Sequence, residues 1–208
     1  DEALTLAHVL LERSEISHPL RHEIQAWVDE PGTLWRMDID RYIRQQRPFR
    51  LTYQDAADRR WEFTVRNAVI QRHEDRQYLD CWCDETEGNR DIEALSHNWS
   101  LRLDRIPDEA VVSPAEGHWQ PKRDSVEVEF WLLEGLAFGY RSKTKADLVN
   151  EWLPEKQARR VVRRIYHTFW FFREVRRYGG DCVVVVPEEV RGRFAEDVGR
   201  MVGHYEKS

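Results

Sequence analysis

"NWSLRLDRIPD", residues 98–108, is the stretch on which the reading of this chain turns. Leu101 and Leu103 alternate with Arg102 and Asp104, the period of a strand with one apolar face. One further step of that period puts Arg105 on the leucine face, and an arginine does not belong in an apolar core. Either the strand ends or bulges there, or Arg105 points into a cavity that wants a positive charge.

Upstream of this stretch the sequence has the texture of short strands. "FRLTYQD" (49–55) alternates Phe49, Leu51 and Tyr53 with polar residues, "AADRR" turns, and "WEFTVRNAVI" (61–70) returns. After "RHEDR", the strand "QYLDCWCDE" (77–85) sets Tyr78, Asp80, Trp82 and Asp84 on the face opposite Leu79, Cys81 and Cys83. A polar loop, "TEGNRDIEALSH", then leads to the opening stretch. Five short strands of this kind predict a small, strongly bent sheet or barrel, because so few strands must curl to protect their edges. Before them, residues 1–30 predict one or two short helices broken by "DEPG" at 29–32. "DIDRYIRQQR" (38–47) predicts a helix capped by Asp38 and stopped by Pro48.

Downstream, "PAEGHWQPKRD" (114–124) reads as a linker. It precedes a strand at "SVEVEFWLL", a helix at "TKADLVNEWLPEK" with Thr144 as its cap, and a segment from 158 onward that suits a long helix or a strand. "TFWFFREVRRYGG" ends as a helix should, with arginines in its last turn and Gly179 to terminate it. "DCVVVVP" is a buried strand, and a final amphipathic helix follows Pro187. The alternation predicts a compact α+β sandwich.

The 208 residues, 41% hydrophobic and 34% charged, describe a globular chain with no apolar run long enough to cross a bilayer and no secretory leader, so it is placed in the cytoplasm. Cys81, Cys83 and Cys182 lack a metal-binding pattern and read as buried thiols. A net charge of −6 argues against a chain that coats nucleic acid over its whole surface, yet residues 155–178 hold seven arginines against two glutamates. That run is either a solvated face or a local basic site. No glycine-rich phosphate loop is present. His18 and His22 are the one helical metal spacing among eight dispersed histidines. No nucleophile, base and orienting group can be assembled, so the sequence reads as no enzyme and calls for no cofactor and no metal.

The order helix, strand pair, "QYLDCWCDE" and "LRLDRI" resembles the WYL domain over residues 38–112. That family is named for a Trp-Tyr-Leu triplet, here Gln77, Tyr78 and Leu79, followed by a Phe-Arg-Leu-Asp-Arg-Ile strand, here Leu101 to Ile106. Gln77, Leu101 and Asn67 depart from the commoner Trp, Phe and Pro. The remainder resembles the C-terminal extension that accompanies WYL domains, an order that favours a strand at 159–166. "HTFWFFREVRRYGGDC" (167–182) is similar to a cyanobacterial, CRISPR-associated branch.

The resemblance implies an α+β fold: an Sm-like, SH3-type barrel at 38–113 after a helical segment at 1–37, then a linker at 114–124 and an α/β sandwich at 125–208. It implies a homodimeric, ligand-sensing regulator of transcription, serving a CRISPR or phage-defence locus, with its DNA-reading helix-turn-helix domain absent from this chain. The alternative is an accessory nucleic-acid-binding or protein-interaction module that modulates a CRISPR effector. The expected partner is a nucleic acid or oligonucleotide ligand, with no membrane. Arg105 would then leave the core at the strand end and join Arg102, since guanidinium groups match phosphate oxygens and aromatic rings stack on bases. The pocket expected on this basis is Tyr53, Arg66, Tyr78, His97, Arg102 and Arg105. Against it stand plainer roles: core packing for Tyr53 and Tyr78, ion pairs with Asp104 or Asp108 for the two arginines, and a loop position for His97.

Overall fold

The structure, a computed structural model, describes residues 2–13, 17, 19–22, 24, 33–142 and 145–206. Ile16, His18, the "DEPG" break and Thr144 lie outside the described residues. The chain divides into two compact units, residues 1–87 with 97–123 and residues 88–96 with 124–208.

In the first unit, α1 (Glu2–Leu11) and α2 (Thr33–Gln45) precede the sheet. Trp35, Ile39 and Tyr42, spaced four and three apart, bury one face of α2. The helix starts five residues before the position expected from "DIDRYIRQQR", because the apolar period extends back to Trp35. Asp38 is therefore inside it, paired with Arg41 at 2.6 Å rather than capping.

Five antiparallel strands follow: β1 (Phe49–Gln54), β2 (Arg60–His73), β3 (Arg76–Cys83), β4 (Asn98–Arg102) and β5 (Val112–Pro114), in the order β4-β3-β2-β1-β5. β2 is shared, its first half pairing with β1 and its second with β3, with a register shift between Val65 and Asn67 where the strand changes partner. The bend brings the Trp99 ring of β4 within 4.8 Å of Phe63 in the first half of β2. Phe49, Leu51, Phe63, Val65, Leu79, Cys81 and Cys83 fill the concave side, each at most 1% exposed.

Among the described residues β4 and β5 do not pair with each other, so the sheet stays open and no closed barrel forms. One hydrogen bond spans the gap, from the Arg102 N–H to the Tyr53 hydroxyl at 3.3 Å.

The second unit is an antiparallel sheet ordered β7-β8-β6-β9, built from β6 (Val126–Leu132), β7 (Asp147–Leu153), β8 (Ala158–Ile165) and β9 (Cys182–Val186). Helices α3 (Glu134–Gly139), α4 (Thr168–Val175) and α5 (Glu188–Tyr205) accompany it. Two antiparallel sheets with helices make the whole an α+β protein. Segment 158–165 is the strand that the family order favours. The helix expected over 144–156 is instead strand β7, because cross-strand pairing with β8 overrides a local pattern that helix spacing fits equally well. Residues 88–96 contribute Ile92 and Leu95 to this unit's core. Asp91 takes the Thr168 N–H at 3.0 Å and hydroxyl at 2.7 Å, satisfying the start of α4. Among the described residues no helix is long and apolar enough to cross a membrane.

Candidate functional site

Strand β4 ends at Arg102, and Leu103–Arg105 form a single 3-10 turn. The turn resolves the conflict in the sequence. Leu101, Leu103 and Ile106 remain buried, while Arg105 swings off their face to a half-buried position. Its guanidinium lies near the Tyr53 hydroxyl and favours the ionised phenol, and among the described residues it has no carboxylate partner. Tyr53 is 6% exposed. Burial raises its phenol pKa, and the Arg102 N–H and Arg105 pull in the opposite direction without cancelling that rise.

Tyr78 stands directly opposite Arg102 in the β3–β4 ladder, half-buried, with its ring against His73 at 5.4 Å. Arg102 is clamped by Asp104 through two bonds of 2.8 and 2.6 Å, and Arg76 reaches the same carboxylate at 2.7 Å. Asp104 is accordingly held below the usual carboxylate range, by Arg102 first, and Arg102 is held above its own usual value.

Tyr53, Tyr78, Arg102 and Arg105 thus meet at one strand end. Arg66 and His97 do not join them. Arg66 sits at the register shift beside Cys83, whereas Tyr78 pairs with Gln71, which is five residues or about 17 Å further along β2. Arg66 binds both oxygens of Asp84 at 2.5 Å and donates to the Glu116 carbonyl at 2.9 Å. His97 stacks on Trp82 at 4.3 Å and meets the Cys83 carbonyl at 2.7 Å through Nδ1.

One polar cluster escaped the sequence reading. Asp80 is 2% exposed, although strand alternation assigns it to the outer face. It is held by His73 Nε2 at 2.7 Å and the Ser100 hydroxyl at 2.6 Å, with Arg123 at 3.5 Å. Its partner across the ladder, Ser100, was the available signal.

Three of the four arginines of β8 in the second unit are paired with carboxylates, while Arg159 donates to the Ala137 carbonyl at 2.6 Å and the Asn150 Oδ1 at 2.7 Å. Arg160 pairs with Glu129 at 2.7 Å and Glu151 at 2.9 Å, and Arg164 with Glu127 at 3.2 Å. Arg163, 7% exposed, binds Asp147 at 2.5 Å, Glu174 at 2.6 Å and the Tyr140 hydroxyl at 2.5 Å. Burial opposes its charge, but the two carboxylates hold its pKa above the ordinary value. Among the described residues no group of His, Cys, Asp or Glu is arranged to hold a metal ion.

Residues 124–202 match the family model of the WCX domain, the C-terminal domain associated with WYL domains. Two solved structures are similar to the chain. One is proteasome accessory factor B/C (PafBC) of Arthrobacter aurescens, at 20% identity and a TM-score of 0.33, matched over 80% of this chain and 26% of that one. The other is a CRISPR Cas-related protein, at 12% identity and a TM-score of 0.43, over 82% and 51%. The chain therefore spans about a quarter of the first and about half of the second. No curated protein matches it.

Proposed function

We propose that this chain is the sensing portion of a WYL-type transcription regulator, and that the strand end of the first unit binds a nucleic acid or nucleotide-like anion. The observation that carries the reading is Arg105, a half-buried guanidinium facing a tyrosine hydroxyl with no carboxylate among the described residues to neutralise it. Arg102, beside it, is available once Asp104 is displaced, Tyr78 supplies a ring face, and Tyr53, its ring in the core, supplies its hydroxyl. In this reading residues 38–113 are an open variant of the Sm-like barrel, 114–124 connect it, and 125–208 are the extension. Arg66 and His97 would serve a separate contact to the same strand or none. The WCX match supports the regulator class, and the likeness of "HTFWFFREVRRYGGDC" to a CRISPR-associated branch supports a defence locus.

The test is fluorescence anisotropy with short labelled single-stranded DNA and RNA over a salt series, on the native chain and on Arg102→Ala and Arg105→Ala. Binding that weakens with salt and is lost in both variants is the expected result. Binding that survives both substitutions would remove the strand end as the site.

A further inference from the structure

Strand alternation sets Gln77 on the same face of β3 as the buried Leu79, and Trp35, Ile39 and Tyr42 of α2 belong to the core that Leu79 joins. From α2, Arg36 reaches across and donates Nη2–H to the Gln77 Oε1 at 2.7 Å. Arg36 is half-buried, and its Nε is buried with no partner among the described residues. A guanidinium held in this way by a neutral amide loses hydration without gaining a counter-charge.

A second arginine stands on the other side of the same glutamine. Arg72 lies directly opposite Gln77 in the β2–β3 ladder, close enough for the two side chains to meet. It is exposed, and its Nε donates to the Glu74 carbonyl at 3.3 Å. Among the described residues neither Arg36 nor Arg72 pairs with a carboxylate, in contrast to Arg76 and Arg102, which share Asp104. Two cations thus flank one neutral amide, and like charges so placed repel. An anion seated between them removes that repulsion. The two guanidinium forks and the Gln77 NH2 group offer it donors only, the pattern that fits phosphate oxygens.

This cluster adjoins the strand end. Gln77 precedes Tyr78, and Tyr78 is the ladder partner of Arg102. Consecutive strand residues show opposite faces, so the cluster at Gln77 and the Tyr78–Arg102 pair leave β3 on different sides.

We infer that Arg36, Arg72 and Gln77 form a second anion subsite, and that the ligand is therefore a chain with at least two phosphate groups, as in an oligonucleotide, and not a compound with a single one. The inference rests on the reading of the strand end as an anion site, and the test separates the two.

The measurement is anisotropy of labelled single-stranded DNA and RNA of about eight nucleotides with the whole chain, taken as the slope of log affinity against log salt. Arg36→Gln and Arg72→Gln are each expected to lower that slope by about 0.7, one phosphate contact on a single strand, and the double variant by about twice as much. Affinity in the double variant is expected to fall about tenfold or more. Arg72→Lys, which keeps the charge, is expected to keep the slope. Arg72→Gln, at an exposed position, is expected to leave circular dichroism and melting unchanged, which separates its effect from misfolding. Binding that is lost in Arg105→Ala but keeps its slope in both glutamine variants would overturn the second subsite and leave the strand-end reading standing. An equal fall in slope for Arg164→Gln, in the second unit, would reduce the effect to overall charge and overturn the subsite as well. A native chain that binds neither oligonucleotide would overturn both readings.

Discussion

The arginines of the two units are used in opposite ways. Along β8 of the second unit, Arg160, Arg163 and Arg164 are each answered by carboxylates from β6, β7 or α4. At the end of β4 in the first unit, Arg105 faces the Tyr53 hydroxyl and, among the described residues, has no carboxylate partner. Three of the four β8 arginines are therefore tied into ion pairs, with Arg159 the exception, and the shorter run carries the candidate site. Arginine density in a sequence is a poor guide to an anion site; the balance of partners in space is a better one.

The comparison is tested hardest at Arg163. Arg163→Ala leaves Asp147 buried without its cation, and a loss of about 3–5 kcal/mol of stability is expected in chemical denaturation. A loss below about 1 kcal/mol, the range of exposed pairs, would show that the β8 pairs are not structural. Arg105→Ala is expected to behave the other way, with stability changed by no more than about 0.5 kcal/mol. Oligonucleotide binding by anisotropy is expected to weaken by about 1.5–3 kcal/mol, the range for a hydrogen bond to a charged group.

Asp104→Asn sharpens the contrast, because it releases Arg102 and Arg76 while leaving their positions intact. Affinity for an anionic ligand is expected to rise by less than about 1 kcal/mol, in keeping with an exposed pair. The pH dependence has the same sign. With its pKa lowered, Asp104 contributes stability above the ordinary carboxylate value, and this is lost as pH falls through the lowered one. At neutral pH the clamp on Arg102 is fully charged, so its contribution to thermal melting should be constant between pH 6 and pH 8, a range about two units or more above carboxylate titration. The smallest effect belongs to Arg164→Ala. Its exposed pair with Glu127 is worth about 0.5 kcal/mol or less in a melting experiment.

Much of the first unit was legible in the sequence, because alternation of Phe49, Leu51 and Tyr53, and of Leu79, Cys81 and Cys83, is a strong local signal. The bend was not legible, since it rests on contacts between distant residues such as Phe63 and Trp99. β7 was misread for a related reason: Val149, Trp152 and Leu153 fit a helix as well as an edge strand, and only pairing with β8 decides between them. At the site, the stepping of Leu101, Leu103 and Ile106 around Arg105 announced a break in the strand but not its form. The likeness to WYL domains pointed to Tyr53, Tyr78, Arg102 and Arg105 together. It also pointed to Arg66 and His97, which the register of β2 and β3 carries to the other end of the strand pair. Asp80 was missed because alternation predicts a face, whereas burial of that face depends on His73, Ser100 and Arg123 closing over it.

The contact between Arg66 and Gly117 bears on how this chain can change over generations. Gly117 holds a φ of +102°, and a Cβ there would stand 2.3 Å from Arg66 Nη1. While the arginine is retained, even alanine at 117 is disfavoured twice over, by backbone strain and by a contact that would shift the guanidinium. Loss of Arg66 would lift only the second restriction. Glycine at 117 is therefore favoured whether or not the arginine is kept, because the backbone strain at a φ of +102° outlasts the contact with Arg66.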